Sequence, residues 1–161
     1  MVPSIPDRSN VVRSYKDLIL AEQWQTWFRT LTSQVNRSPV VVGSVALTVQ
    51  AASIAQTAIP ISEVNTALYR VSWYVRVTRP GTTSSSIQLT IRWNDGGVAL
   101  SVSSGAATGN TTATILEGTA FIRAKAGTTI DYSTVYASVG ATAMQYSVDI
   151  IVEHIPTIPT T

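Results

Sequence analysis

The sequence predicts a mainly β protein built as an antiparallel sandwich. From residue 40 onward, segments in which apolar and polar residues alternate recur along the chain, and this is the period of an extended strand. Gly, Pro, Asn and Asp separate these segments, with no helical pattern between them. Charged residues make up only 12% of the 161 residues, and Thr, Ser, Ala and Val take their place. Eight to nine such strands indicate an antiparallel jelly-roll β-sandwich over residues 40–155, followed by a tail at 156–161.

The N-terminal segment, residues 1–13, is predicted to be extended. Pro3 and Pro6 oppose a helix and favour extended or turn conformations. The segment is too short and polar to bury enough surface to order itself. It is therefore either a free terminus or an anchoring peptide that becomes ordered against a partner.

Residues 14–36 change to helical spacing, with apolar residues recurring every three or four positions. Two alternatives follow for this amphipathic helix: it covers one end of its own β-domain, or it packs against copies of itself around a symmetry axis. A membrane-surface helix is disfavoured because the polar face is not rich in Lys and Arg. The residues that form the packing stripe are Leu20, Trp24, Trp27, Phe28 and Leu31.

The segment Thr66–Thr78 is predicted to be a central strand, because its β-branched and aromatic residues alternate over its whole length. Before it, Val40–Val49 is a candidate first strand with a bulge at Gly43, and the apolar stretch up to Ile61 has no clean period. The side predicted to face the core carries Tyr69, Val71, Trp73, Val75 and Val77.

The remaining elements follow from turn residues. After the polar loop Thr82–Ser85, the turn Asn94–Gly97 predicts a hairpin, because glycine, Asn and Asp accept positive φ. Residues 112–125 are predicted to form a strand pair or one strand kinked at Gly118. Ile130 and Tyr132 alternate in the next strand, with Val135 as a further member, and Met144–Val152 alternates in the last one.

The residue inventory argues against catalysis and cofactors. There is no cysteine, and a single histidine, His154, cannot supply the three or four protein ligands of a zinc site. Asp131 and Asp149 could pair as catalytic carboxylates, but ion pairs with arginine are the simpler use. We therefore expect no enzyme, no metal and no cofactor.

Composition also limits the partners. No run of Lys and Arg suggests nucleic-acid binding, and no segment approaches the ~20 apolar residues of a membrane span. The first residues lack the apolar core of a signal peptide, which predicts a product that is soluble when made. Exposed aromatic residues are the usual signal of glycan binding, and the candidates for a receptor-facing surface are Tyr74, Tyr132 and Tyr136.

Three segments resemble the trimeric jelly rolls of the tumour-necrosis-factor and complement globular-head type. Ala67–Val75 looks like the central strand of that family. Thr119–Ile130 looks like its apolar strand, Lys-Ala-Gly turn and return strand, and Met144–Val152 is similar to its last central strand. The resemblance implies a homotrimer. The chain departs from the family in lacking a collagen-like or transmembrane stalk.

The whole chain is also similar to small virion proteins of tailed bacteriophages, in which a proline-containing peptide precedes a helix with a Trp-x-x-Trp/Phe core and then a β-domain. This resemblance implies a homotrimer in the virion, anchored to tail, portal or capsid proteins through Val2, Pro3, Ile5 and Pro6. The expected function is a tail-associated fibre protein with a possible contact to a host-surface glycan. A head decoration or head-fibre protein, and a secreted trimeric lectin-like module, remain alternatives.

Overall fold

The computed structural model describes residues 22–35, 38–61 and 64–156. It contains two compact units, Met1–Ser38 and Pro39–Thr161. The described part of the first unit is one helix, α1 (Glu22–Val35). The second unit contains nine strands within the described residues: β1 (Val40–Gln50), β2 (Thr57–Ala58), β3 (Ala67–Arg79), β4 (Ser84–Asp95), β5 (Val98–Ser103), β6 (Ala107–Thr108), β7 (Ile115–Ala124), β8 (Asp131–Val139) and β9 (Gln145–Ile155).

The strands form two antiparallel sheets, which confirms the predicted fold class. One sheet has the order β1-β9-β3-β7, and the other has the order β2-β8-β4-β5, with β6 paired to β4. Strands that are consecutive in the chain mostly belong to opposite sheets, so the chain wraps around the core. This is the topology of a jelly roll, in which two Greek keys share one core.

The core lies between the inner faces of the two sheets. The side chains predicted to point inward from β3 are all buried, as are Ile87, Leu89 and Ile91 of β4. Strand β9 contributes an unbroken series at every second residue, confirming the alternation predicted for the last strand: Tyr146, Val148, Ile150 and Val152, preceded by Met144. The apolar area removed from water by this core is the main source of stability.

A chain of hydrogen bonds links the two sheets and the segment between β1 and β2. The Ile54 N–H donates to the Thr134 hydroxyl at 2.9 Å, and the Tyr146 hydroxyl donates to the Ala52 carbonyl at 2.7 Å. Because the single Tyr146 hydroxyl proton is used in this way, Thr134 Oγ1 must donate to Tyr146 Oη, 2.7 Å away. Each hydroxyl therefore both donates and accepts, and burial raises the pKa of Tyr146.

Several local predictions need correction. Residues 115–124 form one strand, and Gly118 is not a kink: it pairs with Trp73, whose indole occupies the space of a Cβ. Strand β4 begins at Ser84, inside the predicted loop. Val135 is 60% exposed on the outer side of β8. The bulge near Gly43 is confirmed. The hairpin turn is confirmed as well, and both of its glycines, Gly96 and Gly97, have positive φ.

Helix α1 carries a compact aromatic cluster. The Trp27 ring meets the rings of Trp24 and Phe28 edge-on, with centroids 5.8 Å and 5.0 Å away. Such edge-to-face pairs are favourable because the positive ring edge meets the negative ring face. The predicted helix start at residue 14, the extended peptide 1–13 and the end of the tail lie outside the described residues.

Candidate functional site

The outer side of the sheet β1-β9-β3-β7 carries both exposed apolar and charged side chains. We call it the outer β3 face: the side chains that project away from the core from these four strands. Antiparallel register places them in rows across the sheet, such as Asp149, Tyr74 and Glu117. Its main members are Val41 from β1; Asp149, Ile151 and Glu153 from β9; Arg70, Ser72, Tyr74 and Arg76 from β3; and Ile115, Glu117, Thr119, Phe121 and Arg123 from β7.

Five large apolar side chains lie exposed on this face. Phe121 is 64% exposed and Val41 is 59% exposed, and Ile151, Ile115 and Tyr74 range from 46% down to 38%. Single exposed apolar residues are ordinary, but five on one side of one sheet form an apolar surface of the kind that marks interaction sites.

An ion pair crosses the middle of the outer β3 face. Arg70 Nε donates to Glu153 Oε2 at 2.6 Å, and the two residues are direct neighbours on β3 and β9. The hydrogen bond from Arg70 lowers the pKa of Glu153, and the same bond raises the pKa of Arg70. In the same row, Phe121 is the neighbour of Arg70 on β7.

Charges on the outer β3 face are balanced. Its three arginines, Arg70, Arg76 and Arg123, lie among three carboxylates: Glu117, Asp149 and Glu153. Between them, Ser72 and Thr119 share a hydrogen bond of 3.1 Å. A surface of mixed sign with apolar side chains suits another mixed surface better than a polyanion or a polycation.

The ion pair gives a pH dependence that can be tested. Because the folded-state pKa of Glu153 lies below its ordinary value, the stability it contributes is present above that value and is lost as pH falls through the folded-state pKa. Glu153→Gln should therefore lose less stability than the native chain between pH 7 and pH 3. Denaturant midpoints at both pH values measure the difference.

Glu117→Gln is the matched control, because Glu117 lies on the same face but forms no ion pair within the described residues. The loss of stability of Glu117→Gln between pH 7 and pH 3 should match that of the native chain. Equal acid sensitivity of Glu153→Gln and the native chain would contradict the role given to Arg70.

The three predicted receptor-facing tyrosines do not share a surface. Tyr74 is exposed on the outer β3 face. Tyr132 is only 5% exposed and belongs to the core, and burial raises its pKa. Tyr136 packs against the core, and its hydroxyl donates to the Met144 carbonyl at 2.9 Å. Tyr132 is therefore corrected to a core residue, whereas the receptor-facing role of the half-buried Tyr136 stays a prediction.

The structure also places the residues that were weighed for catalysis and metal binding. Asp131 and Asp149 project from different sheets, so the structure does not bring them together as a catalytic pair. His154 lies beside the Tyr69 ring, with centroids 5.6 Å apart. Within the described residues no group of three or more His, Asp or Glu side chains could hold a metal ion, and no helix has the length and apolarity to cross a membrane.

For the helix, Phe28 is 43% exposed and Trp24, Trp27 and Leu31 are half-buried in their own unit. Leu20 and the predicted anchoring residues, Val2, Pro3, Ile5 and Pro6, lie outside the described residues. Their roles stay predictions.

Of the five exposed apolar residues of the outer β3 face, sequence reasoning singled out only Tyr74. Ile115 and Phe121 are out of phase with Leu116 and Ile122, which are buried from the same strand. This phase difference was available in the sequence, because large apolar residues on both sides of one strand predict a sheet with two covered faces.

No protein-family model and no curated protein matches this chain. Similar solved structures include that of the infectious bursal disease virus Gt strain, with 14% identity and a TM-score of 0.44, and that of the Gx strain, with 11% identity and a TM-score of 0.45. Each match covers 73% of this chain and 32% of the viral chain, so this chain spans about a third of those proteins.

A third similar structure is the CBM22-1 xylan-binding domain from Paenibacillus barcinonensis Xyn10C, with 12% identity and a TM-score of 0.37, covering 76% of this chain and 92% of that one. At these identities and TM-scores the likenesses do not extend to function.

Proposed function

We propose that this chain is a non-enzymatic structural protein of a bacteriophage virion that assembles as a homotrimer through the outer β3 face. The observation that carries the proposal is the set of five exposed apolar side chains on one side of one sheet. Burying such side chains against a partner removes apolar area from water, at about 25 cal/mol per Å².

The occupant of this face is a second copy of the chain. Three positive and three negative side chains lie close together there, so one copy can offer either sign to its neighbour. In a cyclic trimer, one part of the face on each copy contacts a different part of the face on the next copy. A surface that carries both signs of charge can form such a contact. The aromatic cluster of α1 gives a further apolar surface for contacts between copies.

The place in the virion rests on the N-terminal resemblance to phage proteins. A proline-containing peptide followed by the Trp24, Trp27 and Phe28 helix suits attachment to a larger particle through the N-terminus. We place the protein on the tail as a fibre or appendage component, and a head decoration or head-fibre protein is the second candidate.

The assembly is tested by measuring mass in solution. Light scattering should give three times the chain mass for the native protein. Phe121→Arg should give the mass of one chain, because it brings a charge into the contact where the native side chain is 64% exposed in the single chain. Unchanged thermal unfolding of a monomeric Phe121→Arg would show that the β-domain itself is intact.

Val135→Arg is the matched control, since Val135 is 60% exposed on the outer side of the other sheet. It should remain trimeric. A native protein that is monomeric, or a Phe121→Arg variant that stays trimeric, would contradict the proposed assembly. Cryo-electron microscopy of particles separately shows whether the protein lies on the tail or on the head.

A further inference from the structure

A cleft of about 490 Å³ opens where strands β4 and β8 separate. Arg92 and Asp131 are the last paired residues of these two strands. Beyond them β4 continues beside β5 to Asp95, while the chain that leads into β8 turns back at Gly127. Side chains from both sides of the sheet can therefore line one cleft.

Two planar charged groups are held in fixed positions in this cleft. Gln56 Nε2 donates to Asp131 Oδ2 at 2.6 Å, and Arg92 Nη1 donates to Ser133 Oγ at 2.5 Å. Arg92 and Asp131 form no ion pair with each other, since the one ion pair within the described residues is Arg70–Glu153. Asp131 Oδ1 and the other N–H groups of Arg92 are thus left without protein partners in that part of the chain.

An aromatic and aliphatic surface lies beside these polar groups. Trp93 is half-buried, and its register partner Leu100 is 41% exposed. The Trp93 indole N–H donates no hydrogen bond within the described residues, and Asn94 uses its side-chain oxygen in the turn, on the Gly97 N–H at 2.8 Å. The cleft therefore combines a flat apolar surface with unused donors and acceptors.

The balance of charge selects the class of ligand. One guanidinium and one carboxylate line the cleft, so an anion would meet Asp131 and a cation would meet Arg92. A sugar ring fits both groups, because adjacent hydroxyls donate to a carboxylate and accept from a guanidinium. The apolar C–H face of such a ring can pack on an indole. The volume falls within the range of small-ligand sites, about 300–1,000 Å³.

We propose that this cleft binds a neutral saccharide, with Asp131 and Arg92 bonding its hydroxyls and Trp93 packing on its ring. The site lies on the sheet that does not carry the outer β3 face, so binding does not depend on the proposed trimer. It would give the protein a contact with host-surface glycans that uses none of the three predicted tyrosines.

Saturation-transfer difference NMR on the full chain tests the proposal. The probes are the methyl glycosides of glucose, galactose, mannose, N-acetylglucosamine and rhamnose at millimolar concentration, with methyl sialoside as the charged comparison. We expect at least one neutral glycoside to give signals from its ring protons. Asp131→Ala should weaken that binding at least tenfold, because its acceptor oxygens are lost, and Trp93→Leu should remove the signals of the ring face.

Gln88→Ala is the control, since Gln88 lies on the outer side of β4 and does not line the cleft. It should bind as the native chain does. Because Trp93 also packs against the core, Asp131→Asn provides a second variant that preserves shape and should still lose affinity. Absence of signals from all five neutral glycosides, stronger binding of the sialoside, or full binding by both Asp131 variants would overturn the proposal.

Discussion

Tyr146→Ala is expected to lower the free energy of unfolding by about 3–5 kcal/mol, the range found when a large buried aromatic side chain is truncated. Tyr146 is fully buried near the start of β9. Its removal leaves a cavity between the two sheets and deletes the hydroxyl that joins Thr134 to the Ala52 carbonyl. Urea denaturation at neutral pH, followed by tryptophan fluorescence, measures the loss.

Tyr146→Phe separates the ring from its hydroxyl. It keeps the apolar volume but leaves the Ala52 carbonyl without its donor and Thr134 without its acceptor. A cost of about 1–3 kcal/mol is expected for the unpaired groups. If Tyr146→Phe were as stable as the native chain, the hydrogen-bond chain between the sheets would have no net effect on stability.

The core position of Tyr146 could be predicted from the sequence, but its partners could not. Alternation over Met144–Val152 places Tyr146 on the inner face whatever the strand order. The Ala52 carbonyl that it binds is 94 residues away in the chain, in a segment without a periodic pattern. That segment reaches the Tyr146 hydroxyl only because the chain wraps around the core as a jelly roll.

The candidate site shows the same limit. The outward residues of β3 follow from alternation, but the neighbours of each outward residue depend on register. Arg70 and Glu153 are 83 residues apart and meet because β9 pairs with β3 at that offset. Register between distant strands is set by the whole core, so a single strand does not reveal it.

The wrong prediction that Tyr132 faces a receptor could have been avoided. Tyr132 alternates with Ile130, and both are buried, so its own strand pattern predicts a core residue. The cleft at Arg92 and Asp131 could not be predicted, because it depends on where two strands stop pairing. No local feature of residues 92 or 131 marks that point.

Gly118→Ala is the second change with a large expected effect. Gly118 and Trp73 are direct neighbours on β7 and β3, and an added Cβ would lie 2.7 Å from Trp73 Cε2. Trp73 is 8% exposed and is confined by the core. Moving the indole costs about 1–3 kcal/mol, as overpacking generally does, although alanine is a better strand residue than glycine.

The double variant Trp73→Leu, Gly118→Ala tests this cause. Leucine removes the second indole ring, so alanine at 118 should be tolerated, and the two changes together should cost less than the sum of the single changes by about 0.5–3 kcal/mol. Additive costs would contradict this cause, because the indole would then not be the group that an added Cβ displaces. Non-additivity would establish Gly118 as the place where the Trp73 indole packs against the backbone of β7.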